Sequence, residues 1–292
     1  MLLRGLRFRR GRPRVDAGAK LGVVALLIGV MVLVGGCTKS APSVVYASVA
    51  PPRAYHLHLP GIGGYRRIDK NMLMGLEEGG LNADVQEYDW TIGNPGLASL
   101  LGVQRHTVES ARVAKLITNA VASHHGARVT MSCHSGGAAI AVWALEQCAD
   151  NVQIDDLLML SPALSPDYDL SKALKHIRGH LYVIYSDYDV AVLGVGTSLF
   201  GTMDGEKVEA AGKVGFTRPA GADAAAYAKL EQIPYNSDWI RLGDIGDHIG
   251  SMTRPFARTI LAPLLLRNEL VKLPPLATTQ MAVAAAATQP AR

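Results

Sequence analysis

A serine stands where a strand-like run of the sequence passes directly into a helix-like run. Residues 128–133 favour a strand and residues 136–147 favour an alanine-rich helix, and Ser135 lies between them with no loop on either side. A serine on such a sharp turn holds its hydroxyl above the sheet, close to the N-terminus of the helix. The arrangement predicts a nucleophile. The alternative is a serine that caps a helix with a glycine-rich entry.

The segment around Ser135 resembles the nucleophile elbow of the α/β-hydrolase superfamily. In that motif, Gly-x-Ser-x-Gly, the residues two positions before and two positions after the serine are small. Gly137 satisfies the pattern on one side, whereas Cys133 stands where the family has its first glycine. The motif is therefore incomplete, and the prediction that Ser135 is a nucleophile depends on partner residues elsewhere in the chain.

The resemblance implies an order in which the nucleophile is followed by an acid and then by a histidine that takes the serine proton. Three histidines follow Ser135. His248 fits best, because it lies in a glycine-flanked loop between the last predicted strand and the last predicted helix. His176 is predicted in a short helix, and His180 begins a strand at the wrong end for this chemistry. The alternative for His248 is an ordinary histidine of a solvated loop.

Two aspartates, Asp187 and Asp189, follow the predicted strand at residues 180–185. Catalytic groups of open α/β sheets gather at the carboxyl ends of the strands. Asp189 fits the resemblance better, since the acid of this family often stands three residues after Gly or Ser and three before Val. Asp187 is the second choice. The alternative for both is a carboxylate that only caps the turn.

A glycine-rich loop at residues 57–64 follows the first predicted strand and resembles the His-Gly-x-Gly loop of the family. By that resemblance, the backbone N–H groups of Ile62 and Gly136 form an oxyanion hole. Glycine lets the backbone approach a substrate oxygen closely. A phosphate-binding loop is a weaker interpretation, because the dinucleotide pattern needs a further glycine and a helix at a spacing that is absent here.

The resemblance implies an eight-stranded sheet and a serine hydrolase that cleaves carboxylic esters or thioesters through an acyl-enzyme. No cofactor or metal is expected, since His56 and His58 on one strand are better explained by strand packing than by chelation. The alternatives are an acyltransferase on the same fold and a lipoprotein that binds ligands without catalysis. The fold itself hosts many reactions, so the substrate does not follow from it.

The elements that position these residues alternate between strands and helices. Apolar residues make up 49% of the chain and charged residues 18%, which is enough for a large buried core. Strand–helix alternation predicts an α/β fold, with a mostly parallel central sheet flanked by helices on both faces. The predicted strands are 54–59, 83–88, 128–133, 157–160, 180–185 and 231–235, and the predicted helices are 108–123, 136–147, 170–177 and 254–266.

The sequence predicts one folded domain with segments of different character around it. The α/β-hydrolase domain is expected at residues 54–270, and within it residues 190–228 form a lid or an insertion with a strand pair around Gly205. A polar tether is expected at residues 37–53. The Ala/Thr/Gln/Pro-rich composition of residues 274–292 predicts a disordered tail.

The first 36 residues have the composition of a signal peptide, with a basic start, an apolar run at 21–34 and small residues before Cys37. Val34-Gly35-Gly36-Cys37 resembles a bacterial lipobox, which implies cleavage before Cys37 and a lipid on its thiol. The chain is therefore expected to be exported and anchored on the non-cytoplasmic side of a membrane. The alternative is an uncleaved N-terminal membrane anchor, although the run is shorter than the roughly 20 residues of a spanning helix.

The positive charge of the chain belongs to this leader. The leader holds seven of the 29 basic and one of the 25 acidic residues, so the remaining chain has 22 basic and 24 acidic side chains and a net charge of −2. No nucleic-acid partner is therefore expected. Cys133 and Cys148 would lie at opposite ends of one helix, roughly 18 Å apart, so no disulfide is predicted between them.

Overall fold

The structure is a computed structural model that describes residues 54–189 and 201–267, together with the backbone of a short strand at residues 45–46. The predicted signal peptide, Cys37 and the predicted tail lie outside the described residues. So do residues 190–200, the first part of the predicted lid or insertion.

The described chain forms one seven-stranded sheet in the order β1-β3-β2-β4-β5-β6-β7. Only the pairing of β1 with β3 is antiparallel, and all other neighbouring strands are parallel. The mostly parallel α/β fold is therefore confirmed. The strands are β1 (Val45–Tyr46), β2 (Ala54–Leu59), β3 (Asp84–Glu87), β4 (Arg128–His134), β5 (Asp156–Leu160), β6 (Leu181–Tyr185) and β7 (Leu230–Pro234).

Helices cover the sheet on both faces. The α-helices are α1 (Arg67–Glu78), α2 (Leu97–Leu101), α3 (Val103–Ser123), α4 (Gly137–Leu145), α5 (Ser171–Lys175), α6 (Ala211–Val214), α7 (Ala224–Tyr227), α8 (Arg254–Phe256) and α9 (Ala262–Leu266). A π-helical segment at Ala257–Leu261 connects α8 to α9, and 3₁₀ turns form at Ser237–Leu242 and Gly250–Met252. None of the helices in the described ranges is long and apolar enough to cross a membrane.

The central strands are buried on both sides, which explains their nearly continuous apolar sequences. All of β5 is buried, and so is β4 from its second residue onward. One core lies between the sheet and helices α3 and α4, whereas a second core packs α1 and the C-terminal helices against the opposite face. Because helices pack against both faces of the sheet, the strand ends have fixed positions, and so do the beginnings of the loops that follow them.

Most predicted elements are present within a few residues of their predicted bounds. Helix α1 was missed, and a short strand, β1, forms within the segment predicted as a tether. The described residues contain seven strands rather than the eight that the resemblance implied. The strand pair expected around Gly205 is wrong: the chain makes a tight turn there, in which Gly205 N–H donates to Thr202 O (2.9 Å). Cys133 and Cys148 are both free, as predicted.

Candidate active site

The strand order reverses between β2 and β4, since β3 lies on one side of β2 and β4 on the other. In open α/β sheets, such a reversal opens a crevice at the carboxyl ends of the strands, and ligands bind in it. The loop at residues 60–64 leaves β2 at this place, and Ser135 directly follows β4. The sheet therefore brings two of the predicted site segments together.

Ser135 adopts a backbone conformation that is rare for any residue with a side chain. Its φ of 51° lies in the left-handed region, which costs about 1–3 kcal/mol in a non-glycine residue. The turn is fixed on both sides, because Ser135 N–H donates to Leu160 O (2.9 Å) and Ser135 O accepts from Ala138 N–H (3.1 Å). Within the described ranges the Ser135 hydroxyl has no hydrogen-bond partner. Ser135 itself is only 4% exposed.

Close backbone packing requires a small residue on one side of Ser135 only, at Gly137. A Cβ at Gly137 would collide with the carbonyl oxygen of Pro60 and lie 2.7 Å from that of Leu59. Cys133 is fully buried, and its Sγ lies 3.4 Å from Leu158 O on the neighbouring strand. A side chain of that size is accommodated there, which explains the departure from the glycine pattern. Burial raises the pKa of the Cys133 thiol, so Cys133 is unsuited as a nucleophile.

The Asp189 carboxylate accepts a hydrogen bond from His248, with 2.7 Å between Oδ2 and Nδ1. Asp189 lies just after β6 and is 2% exposed, whereas Asp187 is exposed. Because a carboxylate only accepts, the His248 proton lies on Nδ1 and Nε2 is left as the basic nitrogen. The structure thus brings Asp189, rather than Asp187, to His248 in the tautomer that a general base needs.

His134, the residue before Ser135, holds the His248 loop against the turn that carries Ser135. Its Nε2 donates to the carbonyl oxygen of His248 (2.9 Å), and the two imidazole rings lie 4.8 Å apart between centroids. Burial, and secondarily the neighbouring His248, lower the pKa of His134 to about 3, so its imidazole stays neutral. Sequence reasoning missed this contact, because the partner is a backbone carbonyl and has no residue signature.

The other two candidate histidines lie away from this turn. The Nδ1 atom of His176 lies 2.8 Å from Val152 O, and the Nε2 atom of His180 lies 3.1 Å from a carboxylate oxygen of Glu231. His180 precedes β6 and is therefore at the opposite end of the strand from Asp189. Neither histidine is brought to Ser135.

Ile62 and Gly136 are in direct contact. A Cβ at Gly136 would lie only 2.6 Å from Ile62 Cγ2. In the part of the chain that the structure describes, neither backbone N–H has a hydrogen-bond acceptor. The loop that carries Ile62 is held by Trp90, whose indole N–H donates to Pro60 O (2.8 Å). Sequence reasoning missed Trp90, because nothing in the sequence links it to that loop.

His56 and His58 belong to a buried polar layer between β2 and β4. The His56 nitrogens contact the hydroxyls of Thr130 (2.8 Å) and Ser132 (2.9 Å), and His58 lies between Ser132 (2.8 Å) and Asp69 (3.0 Å). Burial, and secondarily His58, lower the pKa of His56 to about 3. These imidazoles serve packing and hydrogen bonding. Among the described residues, no group of three or more His, Cys, Asp or Glu side chains is placed to hold a metal.

Comparisons with known proteins give likenesses at low identity. No protein-family model and no curated protein matches the sequence. Among solved structures, the chain is similar to lipase B of Aspergillus fumigatus, with 16% identity and a TM-score of 0.47. The matched region covers 78% of this chain and 57% of the lipase. It is also similar to a lipase-esterase related protein from Clostridium acetobutylicum, with 12% identity and a TM-score of 0.45 over 78% of this chain and 99% of that protein. A Thermus thermophilus protein gives 13% identity and a TM-score of 0.46 over 77% of this chain and 98% of its own.

Proposed function

We propose that this protein is a serine hydrolase that cleaves carboxylic esters or thioesters through an acyl-enzyme on Ser135. The observation that carries the proposal is the 2.7 Å pair between Asp189 and His248 beside a strained serine turn. A nucleophilic serine needs a base, and the base needs an acid that orients it and stabilises its charged form. The contact between His134 and the His248 carbonyl ties the acid–base pair to the serine turn.

The reaction follows from these positions. His248 Nε2 takes the hydroxyl proton while Ser135 Oγ bonds to the carbonyl carbon of the ester, and the carbonyl π electrons move onto its oxygen. The tetrahedral intermediate then expels the alkoxide or thiolate, which takes the proton from His248. Water attacks the acyl-enzyme in the same way and releases the acid and Ser135. A hydrogen bond between Ser135 Oγ and His248 Nε2 is expected to form when substrate binds.

The backbone N–H groups of Ile62 and Gly136 are assigned to the oxyanion in this scheme. Their proposed role rests on the absence of an acceptor for either group among the described residues and on the contact between Ile62 and Gly136. Fixed donors stabilise developing charge without reorganisation, and loss of one such donor in a protease lowers kcat by about 10²–10³-fold. Gly61 permits the approach, since a Cβ there would lie 3.2 Å from Ser135 Cβ.

Labelling with a fluorophosphonate probe tests the proposal directly. The probe should label the wild-type protein, and Ser135→Ala should abolish labelling without changing the melting temperature by more than a few degrees. Ser123→Ala, at an exposed position near the end of α3, is the matched control and should label fully. A folded wild-type protein that is not labelled, beside a control hydrolase that is, would favour a non-catalytic binding protein. Persistent labelling of Ser135→Ala would place the nucleophile elsewhere.

We further propose that Cys37 carries a lipid that anchors the hydrolase to the non-cytoplasmic side of a membrane. The proposal rests on the sequence of the leader alone, because Cys37 lies outside the described residues. The chain beyond the leader has a net charge of −2, so electrostatic attraction of the domain to an acidic membrane surface does not replace the anchor.

A further inference from the structure

The loop that carries His248 is built around a buried carboxylate, that of Asp244. Asp244 is 2% exposed, and its Oδ1 accepts a hydrogen bond from the backbone N–H of Gly246 (2.8 Å). The same oxygen lies against Gly250, since a Cβ added to Gly250 would overlap with it. The carboxylate therefore contacts the residues two positions before and two positions after His248. It fixes both ends of the short segment in which the imidazole stands.

Gly246 connects this carboxylate to the turn that carries Asp189. Its φ of 80° lies in the left-handed region, which glycine adopts without strain. A Cβ at Gly246 would lie 2.9 Å from Ser186 Oγ, so Gly246 packs directly against that turn. Asp189 belongs to the same turn, because its N–H donates to Ser186 O (3.0 Å). A group that holds Gly246 therefore also holds the candidate base beside its acid.

The charge of Asp244 costs stability at neutral pH. Burial, and secondarily the negative charge of Asp247, raise the pKa of Asp244 from 3.8 to about 6. Tyr235, which follows β7, faces the carboxylate as well, and burial and secondarily Asp244 raise the pKa of its phenol. Between pH 3.8 and 6 the folded protein holds a proton that the unfolded chain has lost, so stability falls as the pH rises through this range. A buried charge retained at such a cost is typical of a functional position.

We propose that Asp244 is a positioning residue, whose ionised carboxylate holds the His248 loop in place and whose protonation loosens it. The inference rests on the proposed function, since it assigns the support of the general base in that reaction. A carboxylate accepts a hydrogen bond about twice as strongly as a neutral group, so the contact with Gly246 weakens when Asp244 gains a proton. His248 is then held less firmly beside Asp189 and Ser135, and the steps that depend on it become slower.

Asp244→Asn separates the charge of this residue from its shape, because the amide oxygen can still accept from Gly246 N–H. At pH 8, kcat for p-nitrophenyl acetate should fall about three- to tenfold, the effect of a neutral hydrogen bond in place of a charge-assisted one. KM should stay within about twofold, since the base serves acylation and deacylation alike and both steps slow together. Urea unfolding at pH 8 should give a free energy equal to or higher than that of the wild type, because a buried charge is removed.

The pH dependence of kcat/KM gives a readout that a purely structural role would not change. The ratio of wild type to Asp244→Asn should fall from its value at pH 8 towards about one below pH 5, with a midpoint near pH 6. Asp187→Asn is the matched control, since it removes one negative charge at an exposed position, and its ratio to the wild type should stay near one throughout. Circular dichroism at each pH, and recovery of activity on return to pH 8, show that the proteins remain folded.

The wild-type protein gives a second measurement that needs no variant. The carboxyl carbon of Asp244, followed by NMR, should titrate with a midpoint near pH 6. A midpoint near the ordinary value of 3.8 would overturn the inference, even where Asp244→Asn does not fold.

Three further results would overturn the inference while the proposed function stands, each with fluorophosphonate labelling of the wild type intact. They are an Asp244→Asn protein as active as the wild type at pH 8, a ratio that is constant with pH, and a loss of stability that accompanies the loss of activity. A wild-type protein that is neither labelled nor active on the ester would instead refute the proposed function, and the inference with it.

Discussion

Asp187 and Asp189 stand two residues apart after the same strand, yet only Asp189 meets His248. The turn after β6 decides between them, since Asp189 N–H donates to Ser186 O (3.0 Å) and turns the Asp189 side chain inward. The sequence indicates both residues, because both follow the carboxyl end of a strand. It does not contain the geometry of the turn, so the choice depended on a family resemblance until the structure was known.

Replacement of the two aspartates tests this difference. In Asp189→Asn, the amide would donate to His248 Nδ1 and favour the tautomer whose Nε2 carries the proton, so kcat for ester hydrolysis should fall. The equivalent change in a serine protease lowers kcat about 10⁴-fold. Asp187→Asn removes an exposed carboxylate and should stay within about twofold of the wild type. Kinetics with p-nitrophenyl acetate measure both, and equal losses in the two variants would argue against Asp189 as the acid.

The elements of the sheet could be predicted because their sequences carry a strong signal. Strand β2 has the predicted bounds, and β4 extends one residue further, to His134. Helix α1 was missed, although Met72, Leu73 and Leu76 bury one face of it, because its charged residues dilute the apolar periodicity. Its contact with the buried polar layer also has no sequence signal, since Asp69 of α1 meets His58 of β2 only after folding.

The polar layer between β2 and β4 makes the stability of this pair of strands sensitive to acid. The pKa of His56 is about 3 in the folded protein, below the ordinary value of 6.5. Between these values the unfolded chain binds a proton that the folded protein does not, so His56 stabilises the fold fully above pH 6.5 and progressively less as the pH falls towards 3. The expected loss is up to about 1.4 kcal/mol per pH unit.

His56→Gln removes this proton linkage and leaves the other titrating groups in place. As the pH falls below 6.5, the unfolding free energy of the wild type should therefore decrease relative to that of His56→Gln, by up to about 1.4 kcal/mol per pH unit. Urea unfolding between pH 7 and pH 5 measures the difference. His125, an exposed residue, is the control, and His125→Gln should unfold in parallel with the wild type at each pH. A constant difference for His56→Gln would show that His56 titrates alike in both states.

The whole molecule combines features that the sequence predicts with others that arise only from the arrangement of its strands. Alternating strands and helices predict a covered parallel sheet, because each strand pattern is local. The reversal of strand order between β2 and β4 is not local, and it decides that the loop after β2 lies beside Ser135. A cavity of about 530 Å³ is a further example, since Leu100, Trp143 and Met203 line it from distant parts of the chain.

The proposed lipid anchor belongs to the scale of the whole chain, because the proposal attaches the folded domain to a membrane through Cys37. The full-length protein, produced in bacteria that are fed labelled palmitate, should incorporate the label and appear at the mass of the chain from Cys37 onward plus lipid. Cys37→Ser should lose the label and keep the leader, because it removes the thiol that receives the lipid, whereas Cys148→Ser should retain the label. Mass spectrometry and the palmitate signal measure both effects. A wild-type protein that is unlabelled and membrane-bound, with its leader intact, would instead identify residues 21–34 as an uncleaved anchor, in which case Cys37 has no part in attachment.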